Sequence, residues 1–404
     1  QGVLLGASAA TLPALINQNV SLSALVQDQQ LMGYELAISS TVHPQWQVLQ
    51  HQDNLAIAVN NTLSLANIDP TQWANGLYQV RLTAWDVSGK TTEIMAQVVI
   101  ESSQKLPAQA QVTDAVYQLG THELALNRVL NTQSGDVGNW QFDLFNSQLS
   151  SNQPALSATG AALAWQEGAK VWIQVPASLT QANAGIQALS FSLNTQSEQF
   201  GGVGAPQVWH PVFTSNQGWT LAAYSDDELV SESLTKLGDR LFDSLTGLPW
   251  QPSYFVLTAP DGTQYHLNDT GKITRVEFSD GAQWLVSDAG IAAVGSEQRV
   301  DFVRDSQGRI SRVLGVKVGE TEASTTLYSY NPQQQLIQVR TLGTANTGLA
   351  YGYQVNGQLI EANLQANLGT ATNWYQSANS PQWQGQLTAN TPTEIGFSIR
   401  ESEL

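Results

Sequence analysis

Between Tyr265 and Ala362 the chain repeats one short pattern four times. It reads Tyr265-His-Leu267-Asn268-Asp-Thr-Gly271-Lys272-Ile273, then Phe302-Val-Arg304-Asp305-Ser-Gln-Gly308-Arg309-Ile310. It continues as Tyr328-Ser-Tyr330-Asn331-Pro-Gln-Gln334-Gln335-Leu336 and Tyr351-Gly-Tyr353-Gln354-Val-Asn-Gly357-Gln358-Leu359. An apolar residue follows three positions later each time: Val276, Val313, Val339 and Ala362. An internal repeat constrains architecture before any chemistry is considered, because each copy must be one supersecondary unit that buries itself on its neighbours.

The physics of one copy predicts a β-hairpin. Aromatics at alternate positions, such as Tyr328 and Tyr330, put two large side chains on one face of a strand. Asn or Asp next starts a turn by bonding nearby backbone, and Gly three residues on accepts positive φ. The three-residue step from Ile or Leu to the next hydrophobe breaks strand alternation, which predicts a bulge or a change of face there. A lone hairpin is marginal in water, so the copies must pair edge to edge or pack on something else. They start 37, 26 and 23 residues apart, which points to inserted loops and not a uniform solenoid.

Composition suits such a scaffold. Only 12% of the 404 residues are charged, and Gln, Asn, Ser and Thr supply the polar surface instead. The net charge of −17 opposes binding to nucleic acid or to anionic lipid, both of which need concentrated Lys and Arg. It also keeps a large surface soluble. There is no cysteine, hence no disulfide framework. No apolar run of about 18 residues is present, so no membrane-spanning helix is expected. The chain opens at Gln1 with no basic leader, and both ends read as cut from something longer.

Upstream, residues 1–102 read as one sandwich module. Leu77-Tyr78-Gln-Val80-Arg-Leu82-Thr-Ala84 alternates cleanly, the mark of a strand with one buried face. Further strands are expected at Gly33–Ser39, Trp46–Gln50, Leu55–Val59, Thr62–Leu65 and Thr92–Ile100. A polar linker, Glu101 to Gln111, leads into a β-rich region over 112–250. Strands are expected there at Glu123–Leu130, Trp140–Leu144, Lys170–Val175, Leu189–Leu193 and Trp219–Tyr224. Asp226–Leu245 is the one helix candidate, on a stripe of Leu229, Leu237, Leu241 and Leu245. The hairpin repeats occupy 251–365, and a β tail with Trp374, Trp383 and a last strand at Glu394–Ile399 fills 366–404.

Two resemblances follow from these residues. Asp69-Pro70-Thr-Gln-Trp73-Ala-Asn-Gly76-Leu-Tyr78, followed by Arg81 through Gly89, resembles Ig-like modules of large bacterial surface proteins. The repeats resemble those of the bacterial RHS/YD-repeat family. The closest stretch is Val300-Asp-Phe302-Val-Arg304-Asp305-Ser-Gln-Gly308-Arg309-Ile310. Ser134-Gly135-Asp136-Val-Gly138-Asn-Trp140 is similar to the turn that opens such shells, and Ala259 through Tyr265 to the lead-in of the repeats. No copy keeps a literal Tyr-Asp: the slot holds Leu267-Asn268, Arg304-Asp305, Tyr330-Asn331 and Tyr353-Gln354. The resemblance implies a β-sheet strip that spirals, in longer members into a shell around a toxin. Four copies are too few to close one, and no Pro- and Asp-bearing self-cleavage segment is present.

Chemistry is sparse. His43, His51, His122, His210 and His266 lack zinc-ligand spacing and read as surface residues. Asp226, Asp227, Glu228 and Glu232 could supply two carboxylates for glycoside hydrolysis, but acids in a first helical turn also simply complement the dipole. Asp261-Gly262, Asp280-Gly281 and Asp288 read as turn residues and not as a calcium loop. Of twelve tryptophans, Trp46, Trp73, Trp209, Trp374 and Trp383 lie in polar contexts, where they either stack on sugars or fill the interior.

The expectation is therefore an all-β protein: an Ig-like β-sandwich, then a curved antiparallel RHS/YD-type sheet, with little helix. It is expected to be a non-enzymatic scaffold, secreted or on a bacterial cell surface, with no catalytic residue, metal or cofactor. Its expected partners are other domains of a longer parent protein, with host or cell-surface glycans or proteins as further candidates. A carbohydrate-binding module using exposed Trp, and a shell segment shielding a toxin passenger, are the alternatives.

Overall fold

The three-residue step in the repeat has one structural cause in all four copies. Leu267 pairs with Ile273, but His266 pairs with Arg275, so Thr274 is an extra residue. The same shift leaves Ser311 between Arg304↔Ile310 and Val303↔Arg312. It leaves Ile337 between Tyr330↔Leu336 and Ser329↔Gln338, and Ile360 between Tyr353↔Leu359 and Gly352↔Glu361. In the first three copies the bulge returns the next hydrophobe to the buried face: Ile273 and Val276, Ile310 and Val313, and Leu336 and Val339 are all buried.

The turns behave alike. Asn268 Oδ1 accepts the N–H groups of Thr270 and Lys272 at 3.1 and 2.9 Å. Asp305 Oδ1 accepts those of Gln307 and Arg309, and Asn331 Oδ1 that of Gln335. The fourth turn position has positive φ: +82° at Gly271, +81° at Gly308 and +64° at Gln334, a residue that carries a Cβ. The turn of the fourth copy, 354–358, lies outside the described residues.

The structure, a computed structural model, describes the chain apart from residues 1, 6–12, 42–43, 56, 104, 106–110, 154–162, 177–186, 200–206, 215, 227, 317–323, 343–346, 354–358, 367–369, 377–382 and 390–404. In several strands, including Leu359–Ala366, Thr370–Gln376 and Trp383–Ala389, the backbone alone is described. Strand accounts for 65% of the structure, and among the described residues there is no α-helix, so the protein is all-β. It divides into two units, residues 1–107 with 146–281, and 108–145 with 282–404.

In the first unit, the long strand Val20–Ser40 organises one sheet. Ile57–Ile68 and Gln47–Gln52 pair along one edge, and Gly76–Asp86 pairs along the other. Leu22, Leu36, Ile38, Val80, Leu82, Val98 and Ile100 form its core. Lys105, in the expected linker, is tied back by bonds to the carbonyls of Pro70 and Trp73 and to Asn75 Oδ1. Burial pulls its ammonium down to about 8. A second sheet runs in the order Gln148–Ser151, Lys170–Val175, Gln187–Gln199, Gln207–Phe213, Leu234–Leu237, Arg240–Asp243. Four further strands, Thr220–Tyr224, Tyr254–Thr258, Gln264–Asn268 and Ile273–Glu277, are antiparallel neighbours in that order.

The expected helix at Asp226–Leu245 is not formed. Its second half is a hairpin, Leu234–Leu237 with Arg240–Asp243, turned at Gly238 with φ +65°. Leu241 is buried by strand alternation, whereas Leu237 and Leu245 are exposed, so the leucine spacing marks no helical stripe.

In the second unit, ten consecutive strands from Gln283–Ser287 to Trp383–Ala389 form an antiparallel meander. One face is covered by a three-stranded sheet, Gln111–Leu119, His122–Gly135 and Gly138–Phe142, with a 3-10 turn at Asp143–Phe145. Phe142 stacks on Phe302 at 5.7 Å and meets Tyr328 edge-on at 5.8 Å, and Trp284 Nε1 donates to the Leu119 carbonyl at 3.0 Å.

The Gly135–Trp140 turn serves the bulges directly. A bulge orphans the N–H of the residue that begins the second strand. The N–H of Ile310 is taken by the Asp136 carbonyl at 2.7 Å, and that of Leu336 by Asn139 Oδ1 at 3.0 Å. In the first unit Ser147 Oγ does the same for Ile273 at 3.3 Å. Successive hairpins are also cross-linked: the Tyr330 hydroxyl donates to the Ile310 carbonyl, and the Tyr353 hydroxyl to the Leu336 carbonyl at 2.7 Å. Burial pushes the Tyr353 hydroxyl up to about 12, so it stays a donor.

Candidate functional site

Two constellations of polar and aromatic side chains stand out, one wholly buried and one on an outer sheet face. The buried one is in the second unit. Leu124, Leu126 and Arg128 point inward by strand alternation, so Arg128 enters an apolar layer with no exposed surface. Asp114 comes from the neighbouring strand at a register shift between Thr113 and Ala115. Its carboxylate accepts from Arg128 Nε and Nη2 at 2.6 and 2.8 Å, a bidentate pair. The Tyr328 hydroxyl donates to the same carboxylate at 2.7 Å, and Arg128 Nη2 donates to the Tyr351 hydroxyl at 2.7 Å. The guanidinium also lies over the Trp140 ring, 4.8 Å from its centroid. Burial, reinforced by the Asp114 carboxylate, pushes the Tyr328 hydroxyl far above its ordinary value. No substrate can reach a centre sealed this way. It joins the covering sheet to the third and fourth repeats.

The outer constellation is in the first unit, on the solvent side of the long-strand sheet. Glu35 sits opposite His51 on one neighbouring strand and Thr83 on the other. His51 Nδ1 is 3.3 Å from Glu35 and Nε2 is 2.8 Å from Asp53. The bond to Asp53 is the main reason the imidazole holds its proton above the usual histidine range. Arg81 reaches Glu35 at 3.5 Å and Glu93 at 4.0 Å, and its guanidinium lies 4.4 Å from the Trp46 ring. Trp85 lies over Gly33, where a Cβ would come within 2.6 Å of the indole, and its ring is 5.5 Å from His51.

The residues singled out in the sequence disperse. His43 and Asp227 lie outside the described residues. Asp226 Oδ1 accepts the Glu228 N–H, and Glu232 accepts the Ser225 N–H, so these acids shape a loop. His122 meets Trp284 edge-on at 6.4 Å. His210 Nδ1 donates to the Glu232 carbonyl at 2.6 Å, and its Nε2 is 3.0 Å from Glu198. His266 is not a surface residue: it is 1% exposed beside Tyr254, with Arg275 Nη2 donating to Nδ1 at 3.2 Å. Strand alternation puts it opposite Tyr265 and Leu267, on a face that is also covered. Burial and Arg275 pull its imidazole down to about 4.

Asp261 Oδ1 accepts the Thr263 N–H in a turn, and Gly262 and Gly281 take positive φ. The Asp288 carbonyl accepts from Arg304 Nε. Among the described residues, no group of three or more His, Cys, Asp or Glu is arranged to hold a metal ion.

Of the tryptophans, Trp46 carries Arg81 and Trp209 carries the Lys236 ammonium at 4.3 Å. Trp73 meets Tyr78 edge-on at 6.0 Å. The side chains of Trp374 and Trp383 lie outside the described residues. Sequence reading missed Trp85 and the Arg128–Asp114 pair. The available signals were a cation in phase with Leu124 and Leu126, and a glycine inside a strand.

Compared with known proteins, the chain matches no family model and no curated protein.

Proposed function

We propose that this chain is a non-enzymatic scaffold segment of a longer secreted or surface-exposed bacterial protein, built from an Ig-like module and a short RHS/YD-like hairpin strip. Its work is to present or space the parent protein's other parts. One observation carries the reading: the residues the repeats share are spent on packing. The aromatics fill the covered face, Asn or Asp holds the turn, and Ile or Leu marks the bulge. Among the described residues of the repeats, none is left projecting as a nucleophile, acid or ligand set. The buried ion pair of Arg128 and Asp114 is sealed from solvent.

The test is surface detection on intact cells of the source organism, with antibody raised against the purified chain and external protease as a control. Signal that protease removes, or recovery of the antigen from the medium, supports the reading. Antigen confined to the cytosol overturns it. So does hydrolytic turnover that is lost when Asp226, Glu228 and Glu232 are replaced together by the corresponding amides.

A further inference from the structure

The outer face of the N-terminal sheet carries more apparatus than sheet stability requires. Exposed cross-strand ion pairs contribute little, about 0–1 kcal/mol each. Yet Glu35, His51, Asp53, Arg81 and Glu93 are gathered here, with two part-buried indoles at the ends of the group. Position 33 is glycine within a strand, which ordinarily costs about 0.5–1 kcal/mol against alanine. A Cβ there would strike both the Trp85 ring and the Gln52 carbonyl, at 2.6 and 2.4 Å. The glycine therefore seats the indole against the sheet and holds it in one place. Arg81 Nε is shielded from solvent and has no hydrogen-bond partner.

We propose that this strip binds a neutral oligosaccharide, with Trp85 and Trp46 as its aromatic ends, Glu35 and Arg81 as its hydroxyl-binding centre, and His51 as the residue that positions Glu35. An indole fixed on a sheet offers an apolar surface to the C–H face of a sugar ring at little entropic cost. Carboxylate and guanidinium groups are planar and pair with adjacent hydroxyls as they do with other two-point ligands, while His51, held between Glu35 and Asp53, fixes the Glu35 carboxylate. Arg81, which carries Trp46, and Trp85 are four residues apart on one strand, about 13 Å, room for roughly two or three sugar rings in line. Three carboxylates against one arginine and one histidine disfavour sialylated, uronic or sulfated glycans, as does the chain's net charge of −17. This inference stands apart from the scaffold reading, since a scaffold can carry such a face or lack it.

The experiment uses the full chain. Binding is screened on an array of neutral, sialylated and sulfated glycans, then measured by calorimetry with neutral tetrasaccharides of glucose, mannose and N-acetylglucosamine. Saturable binding of at least one neutral glycan is expected, with little salt dependence. Trp85→Ala and Glu35→Gln should each weaken it at least tenfold, and Trp209→Ala, on another sheet, should not change it. Circular dichroism melts check each variant's fold. If Trp85→Ala unfolds the sheet, His51→Ala leaves the Trp85 seat intact and must itself weaken binding. No neutral glycan bound at millimolar concentration, binding only of acidic glycans, or unchanged affinity in folded Glu35→Gln and His51→Ala variants would each overturn the proposal.

Discussion

Replacing Asp114 by Ala strands a guanidinium that has no exposed surface. Arg128 loses both bonds of the bidentate pair, and the Tyr328 hydroxyl loses its acceptor. Breaking a buried pair by removing one partner typically costs about 3–5 kcal/mol. The orphaned Tyr328 hydroxyl adds about 1–3 kcal/mol unless it finds water. Against a typical domain stability of about 5–15 kcal/mol, this is a large share of what holds the second unit together. Urea unfolding followed by tryptophan fluorescence should report it, because Trp140 and Trp284 lie in that unit. With a slope of about 1–3 kcal/mol per molar urea, the midpoint should fall by more than about 1 M.

The informative control removes the whole polar group. Asp114→Leu with Arg128→Met, combined with Tyr328→Phe and Tyr351→Phe, leaves no buried orphan. It should unfold within about 2 kcal/mol of the parent chain, or later than it, since apolar replacements of buried ion pairs are often neutral or stabilising. A loss below about 1 kcal/mol for Asp114→Ala would refute the reasoning, because a sealed guanidinium cannot be so cheaply unpaired. So would a fourfold variant less stable than Asp114→Ala alone.

Three further outcomes are expected. His266 is held neutral in the fold, and its pKa of about 4 lies below that of the unfolded chain. Its contribution is therefore complete above about pH 6.5 and is lost as pH falls toward 4, by up to about 3 kcal/mol. Urea titrations across that range, compared with His266→Phe, should show the slope in the parent chain and a flatter one in the variant. Gln334→Gly should raise stability by about 0.5–1 kcal/mol, since it places glycine where the equivalent turns already have it. A fall in thermal midpoint would count against the shared turn geometry. Asn139→Ala removes the acceptor of the Leu336 N–H and should cost about 1–3 kcal/mol. Amide exchange at Leu336 should accelerate more than at Ile310, and equal protection at both would contradict the capping role.

Much of this architecture was legible because it is local. Leu77 to Ala84 alternates as it folds, Lys170–Val175 forms a strand with the expected ends, and the Ile273-to-Val276 step announced a bulge. The helix expected at Asp226–Leu245 failed because leucine spacing alone does not separate a helical stripe from a hairpin when Gly238 can turn the chain. Long-range association was harder to read. Asp136 meets Ile310 and Asp114 meets Tyr328 across most of the unit's sequence, and no local periodicity encodes such a meeting. His266 was misplaced for a related reason: both faces of its strand are covered, so polarity along the strand carried no inside–outside signal. The Trp85 strip left only the glycine at 33 as a trace, and a glycine reads first as a bulge.

The hydroxyl bonds from Tyr330 to Ile310 and from Tyr353 to Leu336 run from one hairpin to the preceding one. Their geometry repeats only when two strands are added or removed together, so the natural quantum of length change is the entire hairpin. Gaining or losing a single strand would reverse chain direction for everything downstream and separate every later tyrosine from its carbonyl. A one-residue slip would turn the aromatics to the wrong face. The 37-residue spacing fits a whole-hairpin quantum, since it holds one additional hairpin, Gln283–Ser287 with Gly290–Ala293, and only the step from 26 to 23 residues is a change of connection length. An engineer extending or shortening this strip should cut at equivalent points of two bulges and accept any connecting length between them.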